Sequence, residues 1–107
     1  MCSWCWGFAP TMERLVREHD VDLRLIVGGL RPGPYAQLLT AELREMLLHH
    51  WHQVEAVTGQ PFDREALMRR PDTWRYDTEL PATAVAVVRH LRPGDELAFL
   101  THLQRAF

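Results

Sequence analysis

The chain has 107 residues, 47% of them hydrophobic and 24% charged, with a formal net charge of -2. That length suits one domain with a single core. Its charges are dispersed without the basic excess that nucleic acid demands, and no apolar stretch approaches the roughly 20 residues of a membrane span. No basic, apolar-cored leader opens the sequence, so the expected compartment is the cytoplasm.

Cys2 and Cys5, the only cysteines, are spaced Cys-x-x-Cys, with Pro10 five residues after the second. The segment from Cys2 to about His19 reads as a helix. Phe8, Met12, Leu15 and Val16 recur at spacings near three and four to form an inward stripe, and Glu13, Arg14, Arg17 and Glu18 fill the other side. Pro10 lies early enough for a kinked helix to tolerate it.

Residues Val21 to Val27 alternate at first and then run apolar, which predicts a strand with at least one buried face. Gly28-Gly29 ends it, as a turn requiring positive φ rather than an anion cradle, and Arg31-Pro32-Gly33-Pro34 is loop chemistry. A helix is expected from about Tyr35, with Leu39, Leu43, Met46, Leu47, His50, Trp51, Val54 and Val57 on one face and Gly59 as its stop. Arg64 to Arg69 reads as a short helix before Pro71. Thr78 or Thr83 caps the next, which carries Ala84, Val85, Val87, Val88 and Leu91 toward Pro93-Gly94. A last helix from Asp95 places Leu97, Leu100, Leu103 and Phe107 on one side. One strand among helices leaves its backbone groups without ladder neighbours.

The dithiol carries the chemistry. A free cysteine has a pKa of about 8.5, and the attacking species is the thiolate. At a helix N-terminus, unpaired N–H groups and a partial positive charge favour that anion. Cys2 therefore reads as the attacking sulfur. Cys5, one turn later and more buried, reads as the thiol that resolves the mixed disulfide. Trp4, at the exposed turn, is the candidate substrate contact, whereas Trp6 serves equally as platform or core. A zinc site from Cys2, Cys5, His49 and His52 is the metal-binding alternative, with pairs far apart and a histidine spacing unusual for a finger. No metal and no cofactor is therefore assigned. His50, on the apolar stripe, reads as a core histidine.

Cys2-Ser3-Trp4-Cys5-Trp6-Gly7-Phe8-Ala9-Pro10 resembles the active-site helix of DsbA-like members of the thioredoxin superfamily. Val27-Gly28-Gly29-Leu30-Arg31-Pro32-Gly33, the His49-His50-Trp51 helix, Thr58-Gly59-Gln60-Pro61-Phe62 and Leu103-Gln104-Arg105-Ala106-Phe107 are similar to its cytosolic branch, related to polyketide and hydroxychromene-carboxylate isomerases. The resemblance implies a partial α/β thioredoxin-like domain: an active-site helix and one strand over residues 1–33, and a helical insertion over 34–107. It implies a thiol–disulfide oxidoreductase with Cys2 as nucleophile, Cys5 as resolving thiol, and protein or small-molecule thiols and disulfides as partners. The isomerase relatives usually lack the cysteine pair, so an isomerase or glutathione-transferase-like activity is the alternative, and a non-catalytic helical binding fragment the other. In the family a strand precedes the Cys-x-x-Cys helix, of which only Met1 is present here, and a cis-proline loop, two strands and a helix follow the insertion. The chain thus reads as a fragment of marginal stability, and pairing of the Val21 to Val27 strand with a second copy is one way to satisfy its edges.

Overall fold

The computed structural model describes residues 2–106, and the expectations placed on Met1 and Phe107 lie outside them. Five helices dominate: α1 (Ser3–Glu18), α2 (Ala41–Thr58), α3 (Arg64–Arg69), α4 (Glu79–Leu91) and α5 (Glu96–Arg105). A two-stranded antiparallel sheet pairs β1 (Gln37–Leu38) with β2 (Arg75–Tyr76), in the register Gln37 to Tyr76 and Leu38 to Arg75.

Local signals set most helix ends. Thr40 caps α2, its hydroxyl accepting from the Leu43 N–H at 3.2 Å, and Gly59 closes it in the left-handed region at φ 73°. Asp63 caps α3 through the Ala66 N–H at 2.8 Å. The helix expected from Tyr35 begins six residues later, because Gly33–Tyr35 form a 3-10 turn and Gln37–Leu38 are drawn into the hairpin. Thr78 stands at the cap position of α4, but its hydroxyl serves the Arg31 N–H at 2.9 Å while its own N–H donates to the Arg31 carbonyl at 3.1 Å. Asp77 takes over the capping: one carboxylate oxygen accepts from Glu79 N–H at 2.8 Å and Gly33 N–H at 3.1 Å.

The core gathers Leu39, Leu43, Leu47, Trp51, Leu67 and Tyr76, with Leu48, Phe62 and Trp74 packed against it. Trp51 stacks on Phe62 with centroids 4.9 Å apart, and Trp74 on Tyr76 at 5.8 Å. Arg44 runs beneath α3, donating to the Leu67 and Arg70 carbonyls and pairing with Asp72 at 2.8 Å, so the C-terminal carbonyls of that short helix are satisfied. Of the face expected on α2, Leu43, Leu47, Trp51 and Val54 are buried, whereas Met46 and Val57 are exposed and His50 is half-buried.

α1 crosses α2 at Gly7, where a β-carbon would lie 2.8 Å from both the Val54 Cγ1 and the Thr58 Cγ2 atoms. The absent side chain is what permits this approach. Pro10 lies inside α1 and has no N–H, so the Trp6 carbonyl one turn back loses its helical donor. The Gln60 side-chain amide donates to that carbonyl at 3.1 Å, and the Trp6 indole N–H donates to the Pro61 carbonyl at 2.9 Å. The loop after α2 thus mends the gap that the proline leaves.

Three expectations are corrected. The stripe on α1 faces outward: Phe8, Leu15 and Val16 are exposed and Met12 half-buried, while Gly7, against α2, and Ala9 are the buried positions. Residues 21–27 form no strand, since among the described residues no backbone lies beside them to make a ladder. Burial still alternates through Leu23, Leu25 and Val27, which are half-covered, and Arg24 and Ile26, which are exposed. A side chain replaces the missing neighbour. Arg89 donates to the Leu25 carbonyl at 2.7 Å. Gly28 and Gly29 do not adopt positive φ; the glycine at 29 instead avoids the Pro32 ring, whose nearest atom would lie 2.9 Å from a β-carbon.

Candidate active site

Cys2 is the N-cap of α1, with extended backbone at φ -86° and ψ 118°, and its sulfur accepts the Cys5 N–H at 3.4 Å. Serine, threonine or aspartate ordinarily supplies an oxygen at such a position; here a sulfur does, and it sits where the helix offers unpaired donors. The Cys5 thiol also donates to it. That bond is the largest cause that lowers the Cys2 pKa to about 5; partial burial opposes it, and the backbone N–H groups of Cys5 and Trp4 assist. The reciprocal effect pushes Cys5 up: its proton is held by the Cys2 sulfur, by partial burial and by the Cys2 charge. The pair thus favours one thiolate and one thiol, with the negative charge on Cys2.

Both cysteines are reduced in this structure. The expected order of burial is reversed, since Cys5 is exposed and Cys2 half-buried. The reason is tertiary. α5 packs against α1 and covers the N-cap, while the first turn beyond it stays open.

Trp4 is exposed beside the sulfurs, and its ring meets His50 edge-on with centroids 6.0 Å apart. Trp6 is half-buried and bonded to the loop after α2, which makes it a packing residue that also walls a cleft. His49 and His52 are exposed on α2, with His49 bonded to Gln53 at 3.1 Å. The arrangement does not assemble the four-residue zinc site: among the described residues no three His, Cys, Asp or Glu side chains converge on a point.

Two clefts flank Cys2. The first, of about 140 Å³, is apolar and runs from both cysteines along Leu25, Val27, Pro81, Val85 and Leu100. The second, of about 390 Å³, lies on the other side between Trp6, Trp51, Phe62, Asp63 and Arg105. Among the described residues, Cys2 and Gln104 alone line both. Gln104 was not singled out in the sequence, although its register offers a signal: it falls four residues after Leu100, on the half-buried side of α5, where a polar residue needs a reason.

No family model and no curated protein matches the sequence. Over its whole length the chain is similar, at 39% identity and a TM-score of 0.80, to the crystal structure of a "putative protein disulfide isomerase" from Nitrosomonas europaea. The chain spans 50% of that protein's length. The expected fold class is therefore found in this form: a helix-dominated, thioredoxin-like partial domain that reproduces about half of the larger structure.

Proposed function

We propose that this chain exchanges disulfides through Cys2 and Cys5, as a DsbA-like member of the thioredoxin superfamily acting in the cytoplasm. The observation that carries the reading is the N-cap sulfur of Cys2, held as thiolate by the Cys5 thiol and the first-turn amides. A stabilised thiolate favours the reduced protein, so the pair is more oxidising than an unperturbed dithiol. In the oxidised protein a substrate thiolate attacks the Cys2 sulfur, and the Cys5 sulfur leaves and takes up a proton. A second substrate thiolate then attacks the substrate sulfur of the mixed disulfide and releases Cys2 as a thiolate. Two electrons pass from the substrate dithiol to the protein disulfide. The low Cys2 pKa makes it a good leaving group in the last step. The exposed Trp4 ring offers the incoming polypeptide an apolar surface beside the reacting sulfur.

The test is the pair of single variants. Cys5→Ser should accumulate a mixed disulfide when its Cys2 thiolate attacks a peptide disulfide and expels one peptide thiol, visible by mass, and Cys2→Ser should accumulate none. Oxidation of a dithiol peptide should disappear in the double serine variant. Undiminished turnover of a glutathione-linked aromatic substrate by that double variant, with no dithiol exchange in the parent, would instead establish isomerase chemistry.

A further inference from the structure

Gln104 projects from α5 into the junction of the two clefts that meet at Cys2. Its Oε1 atom is buried and has no hydrogen-bond partner. A buried acceptor left unpaired costs about 1–3 kcal/mol of desolvation, and native structures leave few such groups without a role. Ser3, Trp51 and Arg105 also line the second cleft, yet among the described residues none is bonded to Oε1. The first cleft is lined almost wholly by aliphatic side chains, and the Trp6 indole N–H is already engaged by the Pro61 carbonyl at 2.9 Å.

The acceptor is thus left for a donor that arrives in the cleft. A substrate disulfide or thiol has to bring its sulfur to Cys2, so whatever flanks that sulfur comes within reach of Gln104. In a polypeptide the flanking group is a peptide unit, and an extended residue presents its N–H and C=O on one edge. A carboxamide carries one acceptor and two donors and matches that edge. A small disulfide without amide groups has nothing to offer Oε1. We propose that Gln104 is a substrate-binding residue that pairs with a main-chain N–H next to the substrate cysteine, and so makes this dithiol selective for polypeptide over small-molecule disulfides. The inference rests on the proposed exchange chemistry and deepens it. The two clefts then have separate uses: the substrate chain passes from one to the other across Cys2, with its amide edge against α5.

The experiment compares an oxidised peptide containing one disulfide with two isosteres, in which the amide before or after the attacked cysteine is replaced by an ester. With the full chain, one ester should raise KM about fivefold to tenfold, the value of one net hydrogen bond. The penalty should vanish in Gln104→Met and persist in Gln104→Glu, which keeps an acceptor. The parent chain should also exchange with a dithiobis(nitrobenzoate) probe, which has no N–H. Equal KM for the amide and both esters in the parent chain would overturn the assignment without recourse to any variant, as would an ester penalty unchanged in Gln104→Met. If the parent does not react with the nitrobenzoate probe at all, the exchange chemistry itself falls, and Gln104 with it.

Discussion

At the scale of single residues the governing contact is the bridge between the two sulfurs. Alkylation of Cys2 should follow a titration near pH 5 and be flat from there to neutrality, because its pKa is lowered to about 5. In Cys5→Ser the inflection should move up toward the usual range, which iodoacetamide rates would show, because the Cys5 thiol supplies the largest stabilising contact. The same shifts bear on stability. Unfolded Cys2 has a pKa of about 8.5, above its folded value, so between about pH 5 and 8.5 the unfolded chain binds more protons than the folded one. Stability of the reduced protein should therefore rise with pH across that interval, and the Cys2 contribution should be lost as pH falls through 5. Cys5 acts in the opposite sense. Its folded pKa is raised, so its contribution is present below about pH 8.5 and is lost at more alkaline pH. Thermal midpoints of the reduced protein should thus pass through a maximum near pH 8 to 9, and those of the oxidised protein, which has no thiols to titrate, should not share it. The dithiol and the place of Cys2 at the cap of the first helix are legible from spacing and helix position alone. The greater exposure of Cys5 and the placement of Gln104 are not, since both depend on α5 returning across α1 some hundred residues later.

At the scale of elements, α1 depends on a repair made from outside it. Pro10 deprives the Trp6 carbonyl of a donor, and Gln60 replaces it at 3.1 Å. Gln60→Ala should cost about 1 kcal/mol in urea unfolding. In a Pro10→Ala background the helix makes its own bond to Trp6, and the same change at Gln60 should cost little. A double-mutant cycle reads the difference directly. The elements that the sequence announces are those with local punctuation: Gly59 ends α2 through a left-handed residue, and α3 spans Arg64–Arg69 as expected between Asp63 and Pro71. The segment 21–27 carries strand propensity without a strand, because pairing is a property of two segments and its composition describes only one. The hairpin of Gln37–Leu38 with Arg75–Tyr76 escapes a pattern reading for the opposite reason: two residues per strand are too few to show a period. The stripe on α1 has the right spacing and faces solvent, so periodicity reveals an apolar side but not what covers it.

At the scale of the whole molecule, the radius of gyration is 14.7 Å, larger than the roughly 13 Å of a compact domain of this length. Large apolar side chains stand in solvent on several elements, including Phe8 on α1, Ile26 and Leu30 in the irregular segment, and Leu80 and Leu91 on α4. Such surface favours association and weakens the lone chain. The thermal midpoint should accordingly rise with protein concentration and the chain should bind a hydrophobic dye while folded. A sharp transition, unchanged over a hundredfold dilution, would contradict this. The manner of association is constrained by Leu25. Its carbonyl accepts from Arg89 at 2.7 Å, and an extended residue turns its carbonyl and amide to one flank while its neighbours turn theirs to the other. One flank of the segment is therefore plugged by a cation, and the flank of Arg24 and Ile26 is the one left to accept another backbone. A template with a single open side is finished by its first guest. Zippering of this segment should stop at a closed pair instead of growing into a fibre.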